Sequence, residues 1–141
     1  MKKQIAIAAA IILIAIQFSI AQEPVKKLSL EEKVVVFATK NLLSGLRSNN
    51  KGVIESAMRI TAQMKLRYPA AEMKELLSVL NDVRENHPSG CTRYKAFIAI
   101  SICTNPEWYA NTPNVVTADD ETFFHTASDR LQEQLLSVNA Q

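Results

Sequence analysis

The feature that most constrains the fold of this chain is an almost continuous apolar stretch that follows a turn, SGCTRYKAFIAISIC at residues 89–103. A helix enclosed by other helices has this composition, because it meets apolar neighbours on most of its sides. Lys95 and Ser101 interrupt the run on one side. We therefore predict the central helix of an all-α core here. Its expected buried face, at spacings of three and four residues, is Ala96, Phe97, Ala99, Ile100 and Cys103.

The start of the chain is set aside before any fold is considered. Lys2 and Lys3 form a short basic start, an unbroken apolar run covers residues 5–16, and a Ser-Ile-Ala triplet supplies the small residues that a signal peptidase reads. We interpret residues 1–21 as a secretory signal peptide. The alternative is an uncleaved anchor, but the apolar run is shorter than the roughly 20 residues that span a bilayer. We expect an exported protein, periplasmic or extracellular, without stable membrane insertion after cleavage.

The rest of the chain has the size of one small domain with one hydrophobic core. Loss of the two lysines of the signal peptide reduces the 16 basic residues to 14, which equals the 14 acidic residues. This balance gives no electrostatic reason to expect nucleic acid or an anionic membrane as a partner. We expect a disordered segment at 22–28, a single α-helical domain at 29–137 and a frayed C-terminus at 138–141.

Four further helices are predicted around the central one, giving a five-helix α-α layered bundle. The first begins at Ser29, whose spacing to Glu32 is that of a capping box, and the second follows Asn50. The third occupies residues 70–85, and the last is opened by Thr117. We expect two stacked antiparallel pairs with the first helix as a cap. The expected buried positions are, in chain order, Leu30, Val34, Phe37, Ala38, Leu42 and Leu46; Val53, Ala57, Ile60, Thr61 and Met64, with Ile54 and Met58 beside them; Met73, Leu76, Leu77, Leu80 and Val83; and Phe123, Ala127, Leu131 and Leu135, with Phe124 alongside.

The second and fourth helices have similar openings. Residues 49–58 can be laid over residues 88–97, a spacing in the range of helix-pair repeats. The openings at 52–57 and 92–96 resemble the first helix of HEAT-like and armadillo-like α-α repeats, over about residues 49–136. The resemblance implies layered helical pairs and protein or peptide binding, and it transfers no catalytic residues. Because it supplies two units at most, whereas a solenoid needs about three, an irregular bundle is the alternative.

The two cysteines, Cys91 and Cys103, invite a disulfide in an oxidising compartment. On one continuous helix, however, their Cα atoms would lie roughly 18 Å apart. A disulfide allows at most about 7 Å. Cys91, at a helix N-terminus with Arg93 nearby, suits the reactive thiolate of a redox sensor or of a disulfide-linked dimer. The alternative is that both cysteines pack without reacting.

The long segment after the central helix carries Trp108 and Tyr109, which we predict as a partner-binding site because aromatic residues anchor interfaces. The alternative is that both rings form a lid over the open end of the fourth and fifth helices.

Catalytic and metal sites are not predicted from this sequence. His125 has Asp129 one helical turn away, which gives two ligands at best, and a surface ion pair is the alternative. The chain contains no Gly-rich phosphate loop, no serine elbow and no paired carboxylates at catalytic spacing. We therefore expect a non-enzymatic module without a cofactor that binds a protein or peptide. A thiol function through Cys91 is the second hypothesis.

Overall fold

The computed structural model describes residues 29–112 and 119–139. The regular structure in these residues is entirely helical, and the predicted all-α bundle of five helices is confirmed. The predicted signal peptide and the segment at 22–28 lie outside the described residues, as does Thr117. The helices are α1 (Leu30–Leu46), α2 (Lys51–Arg67), α3 (Lys74–Asn86), α4 (Gly90–Thr104) and α5 (Asp120–Asn139), with a short 3-10 helix, Pro106–Trp108, after α4. None of these described helices is both long enough and apolar enough to cross a bilayer.

Side-chain caps determine where four of the helices begin. Ser29 and Glu32 form the predicted capping box of α1, each side chain accepting from the other residue's backbone N–H. Asn50 caps α2 and Ser89 caps α4, each by accepting from backbone N–H groups of the first turn. Asp119 accepts in the same way at the start of α5. Each cap satisfies donors that a helix leaves unpaired at its N-terminus, so short-range chemistry sets these boundaries.

The start of α3 differs from the prediction. We expected a helix over residues 70–85, whereas α3 begins at Lys74. The ammonium group of Lys65 donates to the backbone carbonyl oxygens of Pro69, at 2.6 Å, and of Ala71, at 2.9 Å. A backbone turn precedes α3, because the N–H of Ala71 donates to the carbonyl oxygen of Tyr68 at 2.9 Å, and the bonds from Lys65 fasten this turn to α2.

The five helices pack as two antiparallel hairpins covered on one side by the last helix. α1 pairs with α2 and α3 with α4; α1 lies beside α3, α2 beside α4, and α5 packs across α2 and α4. Consecutive helices α2 and α3 make little contact. The expectation that the first helix is a cap was therefore wrong. A Cβ atom added at Gly45 would lie 2.9 Å from the Cβ of Ala57, so α1 approaches α2 closely as one half of a pair.

The hydrophobic core lies between the two hairpins and beneath α5. The predicted stripe of α3 is buried as expected, apart from Leu77, which is partly buried. Leu42 and Leu46 connect the C-terminal half of α1 to this core. The apolar residues with no exposed surface are Met58, Ala62, Leu76, Leu80, Ala96, Ile98, Ala99, Ile102, Phe123 and Ala127.

The buried face of the central helix α4 differs in part from the one predicted: Ala96, Ala99 and Cys103 are buried as expected, but Phe97 is not. Phe97 exposes 41% of its surface and Tyr94 exposes 48%, whereas Lys95 exposes 5%. Ser101 is also buried, and Ile100 is only partly buried. The reason is that α2 and α5 bring carboxylates to Lys95 and that Tyr109, after the 3-10 helix, brings its hydroxyl to Ser101, while no described helix covers Phe97. The side of α4 that Lys95 and Ser101 interrupt therefore faces inward.

Other predicted core positions are also exposed, namely Leu30, Val34, Phe37, Val53, Ile60 and Leu135. They lie on helix flanks or helix ends that the neighbouring helices do not reach. Periodicity gives the apolar side of a helix but not the width of the part that neighbours cover.

Candidate functional site

A long depression, which we name the α1 groove, runs between α1 and the connection from α2 to α3. Two adjoining clefts form it, with volumes of about 750 and 460 Å³. Val35, Val36 and Glu72 line both clefts, so the depression is continuous. The hydrogen bonds from Lys65 to the connection fix the wall opposite α1 in place.

The floor of the α1 groove is mainly aliphatic. Val36 lines it and exposes 60% of its surface, and Val35 and Leu43 are partly buried beside it. Ala71 and Met73 provide apolar surface on the opposite wall. Apolar surface in a concave site is typical of ligand and peptide binding.

Charged side chains of both signs stand at the rim of the α1 groove. Glu72 and Lys74 form an exposed ion pair with atoms 3.1 Å apart. Glu32 is occupied by the capping box, and the guanidinium carbon of Arg67 lies 6.0 Å from the ring centroid of Tyr68. Because the rim charges are mixed, apolar contact is the dominant interaction that the groove can offer.

Apart from the α1 groove, the structure contains a charged network between α2, α4 and α5. The ammonium group of Lys95 lies 2.9 Å from Oε2 of Glu55 and 2.7 Å from Oε1 of Glu121. The side chains of Lys95 and Glu55 expose 6% and 9% of their surface, whereas that of Glu121 exposes 83%. The hydroxyl of Thr92 donates to Oε1 of Glu55, and the ammonium group lies 5.4 Å from the ring centroid of Phe124. The network therefore ties three helices together.

The surroundings of Lys95 keep its side chain charged. Burial alone would lower the pKa of Lys95, but hydrogen bonds to Glu121 and Glu55 outweigh burial, and the pKa is raised. A protonated amine has no lone pair with which to attack a carbonyl group. Lys95 is the cation at the centre of this network, held by two carboxylates.

A neighbouring ion pair attaches the start of α5 to α2. Arg59 and Ser56 both donate to the carboxylate of Asp120, the hydroxyl at 2.7 Å. Partial burial alone would raise the pKa of Asp120, but the hydrogen bonds from Arg59 and Ser56 lower it overall. The position of α5 thus depends on charge pairs as well as on its apolar stripe.

The two aromatic residues predicted as a partner site occupy different environments. Tyr109 exposes 1% of its surface, and its hydroxyl lies 2.8 Å from the hydroxyl oxygen of Ser101. Burial raises the pKa of Tyr109, and the bond with Ser101 opposes part of that rise. Trp108 is partly buried, and its carbonyl oxygen accepts from Nε of Arg130 at 2.8 Å. This geometry favours the lid, since Tyr109 is a core residue and only Trp108 retains exposed surface.

Both cysteines are free thiols on the continuous helix α4. Cys91 is exposed, whereas Cys103 is buried. Burial raises the pKa of the Cys103 thiol to about 12, although Lys65 opposes the rise slightly. The thiol that reagents and partners can reach is therefore that of Cys91.

The histidines lie at the surface and in a turn. Nδ1 of His125 lies 3.1 Å from Oδ2 of Asp129, and both side chains are exposed, so the pair has the geometry of the predicted alternative. Nδ1 of His87 accepts from the backbone N–H of Ser89. Within residues 29–112 and 119–139, no group of three His, Cys, Asp or Glu side chains is placed to hold a metal ion.

Sequence reasoning missed both the α1 groove and the charged network. The available signal for the network was Lys95 itself, because a lysine inside an apolar helix needs a counter-ion if it is buried. The groove had no comparable signal, since it depends on where the connection after α2 lies.

The fold and its surface define a class of protein: a small all-α bundle of two helical hairpins with a fifth helix across one side and an apolar groove along the first helix. Comparison of the chain with protein families, with curated proteins and with solved structures finds no match.

Proposed function

We propose that this protein is an exported, non-enzymatic helical module that binds a segment of another protein, or a peptide, in the α1 groove. The observation that carries the proposal is the exposed aliphatic floor at Val36, enclosed between two walls. Solvent-exposed apolar surface in a concave site is typical of interaction sites. The sequence resemblance to HEAT-like binding modules agrees with this role.

The shape of the α1 groove suits an amphipathic segment. A bound helix would place apolar side chains at i, i+3 or i+4 and i+7 against Val35, Val36 and Ala71. Its polar flanks would meet the mixed charges of the rim, such as Arg67 and Glu72. The ligand class is therefore a peptide with one apolar face and few net charges.

A peptide-display selection against the purified protein tests this function. Selected peptides are expected to carry an apolar stripe, and Val36→Asp should weaken their binding about tenfold or more, because it places a charge in the apolar floor. The matched control is Phe37→Asp, which changes the adjacent exposed residue on another side of α1 and should leave the affinity unchanged. Isothermal titration calorimetry measures both. Selected peptides that bind Val36→Asp as tightly as the original protein would contradict the α1 groove as the site.

The exposure of Cys91 favours one second candidate, a thiol function by disulfide-linked dimerisation. Two Cys91 thiols would lose two protons and two electrons to a disulfide oxidant of the exported compartment and form one S–S bond. Electrophoresis without reductant should then show a dimer band that Cys91→Ser abolishes. A single monomer band from freshly exported protein would exclude this candidate.

A further inference from the structure

A separate apolar surface, the α1/α2 face, lies on the flank of α1 away from the α1 groove. It consists of Leu30, Val34 and Phe37 on α1 with Val53 and Ile60 on α2. Leu30 and Phe37 expose 80% and 75% of their surface, and the other three expose 42–45%. These exposures are high for large apolar residues, and a group of them on one face indicates an interaction surface.

The two halves of this face are a ridge and a groove. Leu30, Val34 and Phe37 follow one line along α1, and the same line continues through Asn41 and Gly45. There it enters a groove of about 490 Å³ between α1 and α2. The groove is shallow because the two helices approach closely at Gly45, and none of its lining residues is charged.

We propose that the α1/α2 face binds the same face of a second copy of this chain, with the ridge of each copy in the groove of the other. A twofold contact is self-complementary when a surface carries both a projection and a matching depression, as this face does. The uncharged groove matches the apolar ridge, and it offers no ionic contact that would select a different protein.

The spacing and the area of the α1/α2 face support the same occupant. The ridge has the spacing of the apolar positions in the heptad repeat of paired helices, at Leu30, Val34 and Phe37. Asn41 occupies the next such position, where a polar residue can fix the register of the two helices. The exposed parts of the five side chains amount to roughly 500 Å² per protomer, so a twofold contact would bury on the order of 1,000 Å², the lower limit for a specific interface. We therefore expect a reversible dimer with a dissociation constant of about 1 to 100 μM.

Sedimentation equilibrium of the exported protein over a range of concentrations, with reductant present to exclude a Cys91 disulfide, tests the proposal. The original protein should pass from monomer to dimer as its concentration rises. Phe37→Asp and, independently, Ile60→Lys should each weaken dimerisation about tenfold or more, because each places a charge in the apolar contact.

The matched control is Val36→Asp, which alters the neighbouring residue in the α1 groove and should leave dimerisation unchanged. Circular dichroism shows whether each variant keeps its helices, which is expected because Phe37 and Val36 are exposed. A monomer at every concentration overturns the proposal, whether the face is bare or covered by residues 22–28. A dimer that survives both Phe37→Asp and Ile60→Lys overturns it as well.

Discussion

Lys95 of α4 donates to Glu55 of α2 over 2.9 Å, and both side chains are almost completely buried. The pair joins the two hairpins of the bundle, and the exposed carboxylate of Glu121 adds a contact from α5. A buried ion pair contributes little net stability compared with apolar residues of similar size. Substitution of only one partner is nevertheless costly, because the other charge then stays buried without it.

Lys95→Met should therefore lower the free energy of unfolding by about 3 kcal/mol, since it removes the buried cation of Glu55 and leaves only the exposed Lys51 ammonium group, 3.7 Å away. The double change Glu55→Leu with Lys95→Met should restore most of that loss, because no buried charge remains. Urea denaturation monitored by circular dichroism measures both values. The interpretation fails if the double variant is no more stable than Lys95→Met.

The lowered pKa of Asp120 predicts a loss of stability in acid. The folded state binds a proton on Asp120 less readily than the unfolded state, so stability is present at neutral pH and is lost as the pH falls below about 4. Asp120→Asn should cost about 1 to 2 kcal/mol at pH 7, where it weakens the bonds from Arg59 and Ser56. The difference between the two proteins should shrink as both are denatured at decreasing pH. A constant difference down to pH 3 would show that Asp120 does not gain from its ion pair.

Gly45→Ala should destabilise the protein by about 1 to 3 kcal/mol, because the new Cβ would lie 2.9 Å from the Cβ of Ala57 and two helix backbones would have to separate. The matched control is Gly90→Ala at the start of α4. There the nearest atom is the end of the flexible Arg93 side chain, at 3.6 Å, so the change should be neutral or stabilising. Thermal unfolding compares them, and equal effects at both positions would argue against the close approach of α1 and α2.

Neighbouring residues of the central helix should respond in opposite ways to the same change. Phe97→Asp should leave the protein folded, because 41% of the residue is exposed and the carboxylate can reach water. Ile98→Asp should prevent stable folding, since Ile98 has no exposed surface and a buried carboxylate without a partner costs several kcal/mol. The yield of folded protein and its circular dichroism spectrum distinguish them. Failure of the Phe97→Asp variant to fold would indicate that Phe97 is a buried core residue.

The two thiols should differ in reactivity towards iodoacetamide. Cys91 should be alkylated in the native protein, whereas Cys103 should react only after unfolding, because it is buried and its thiol pKa is raised to about 12. Mass spectrometry of peptides from native and urea-treated samples measures both sites. Native alkylation of Cys103 at a rate close to that of Cys91 would contradict the burial of the C-terminal half of α4.

The sequence predicted the positions of the helices better than it predicted which helices pack against one another. The capping box at Ser29 and the start of α4 after Ser89 are as expected, because a cap involves residues within one turn. The start of α3 was missed because Lys65, in the preceding helix, engages the carbonyl groups of the connection. Phe97 was placed in the core because its apolar side chain and spacing are the same whether or not a neighbour covers it.

The sequence by itself therefore determined the fold class, most helix boundaries and the apolar side of α3, since these depend on local hydrogen bonds and on periodicity. Only the tertiary structure decided that α1 pairs with α2, that Lys95 faces inward and that Val36 and Phe37 lie on two separate exposed surfaces. Those outcomes depend on contacts between residues far apart in the chain. The local sequence around a side chain does not determine which distant helix will pack against it.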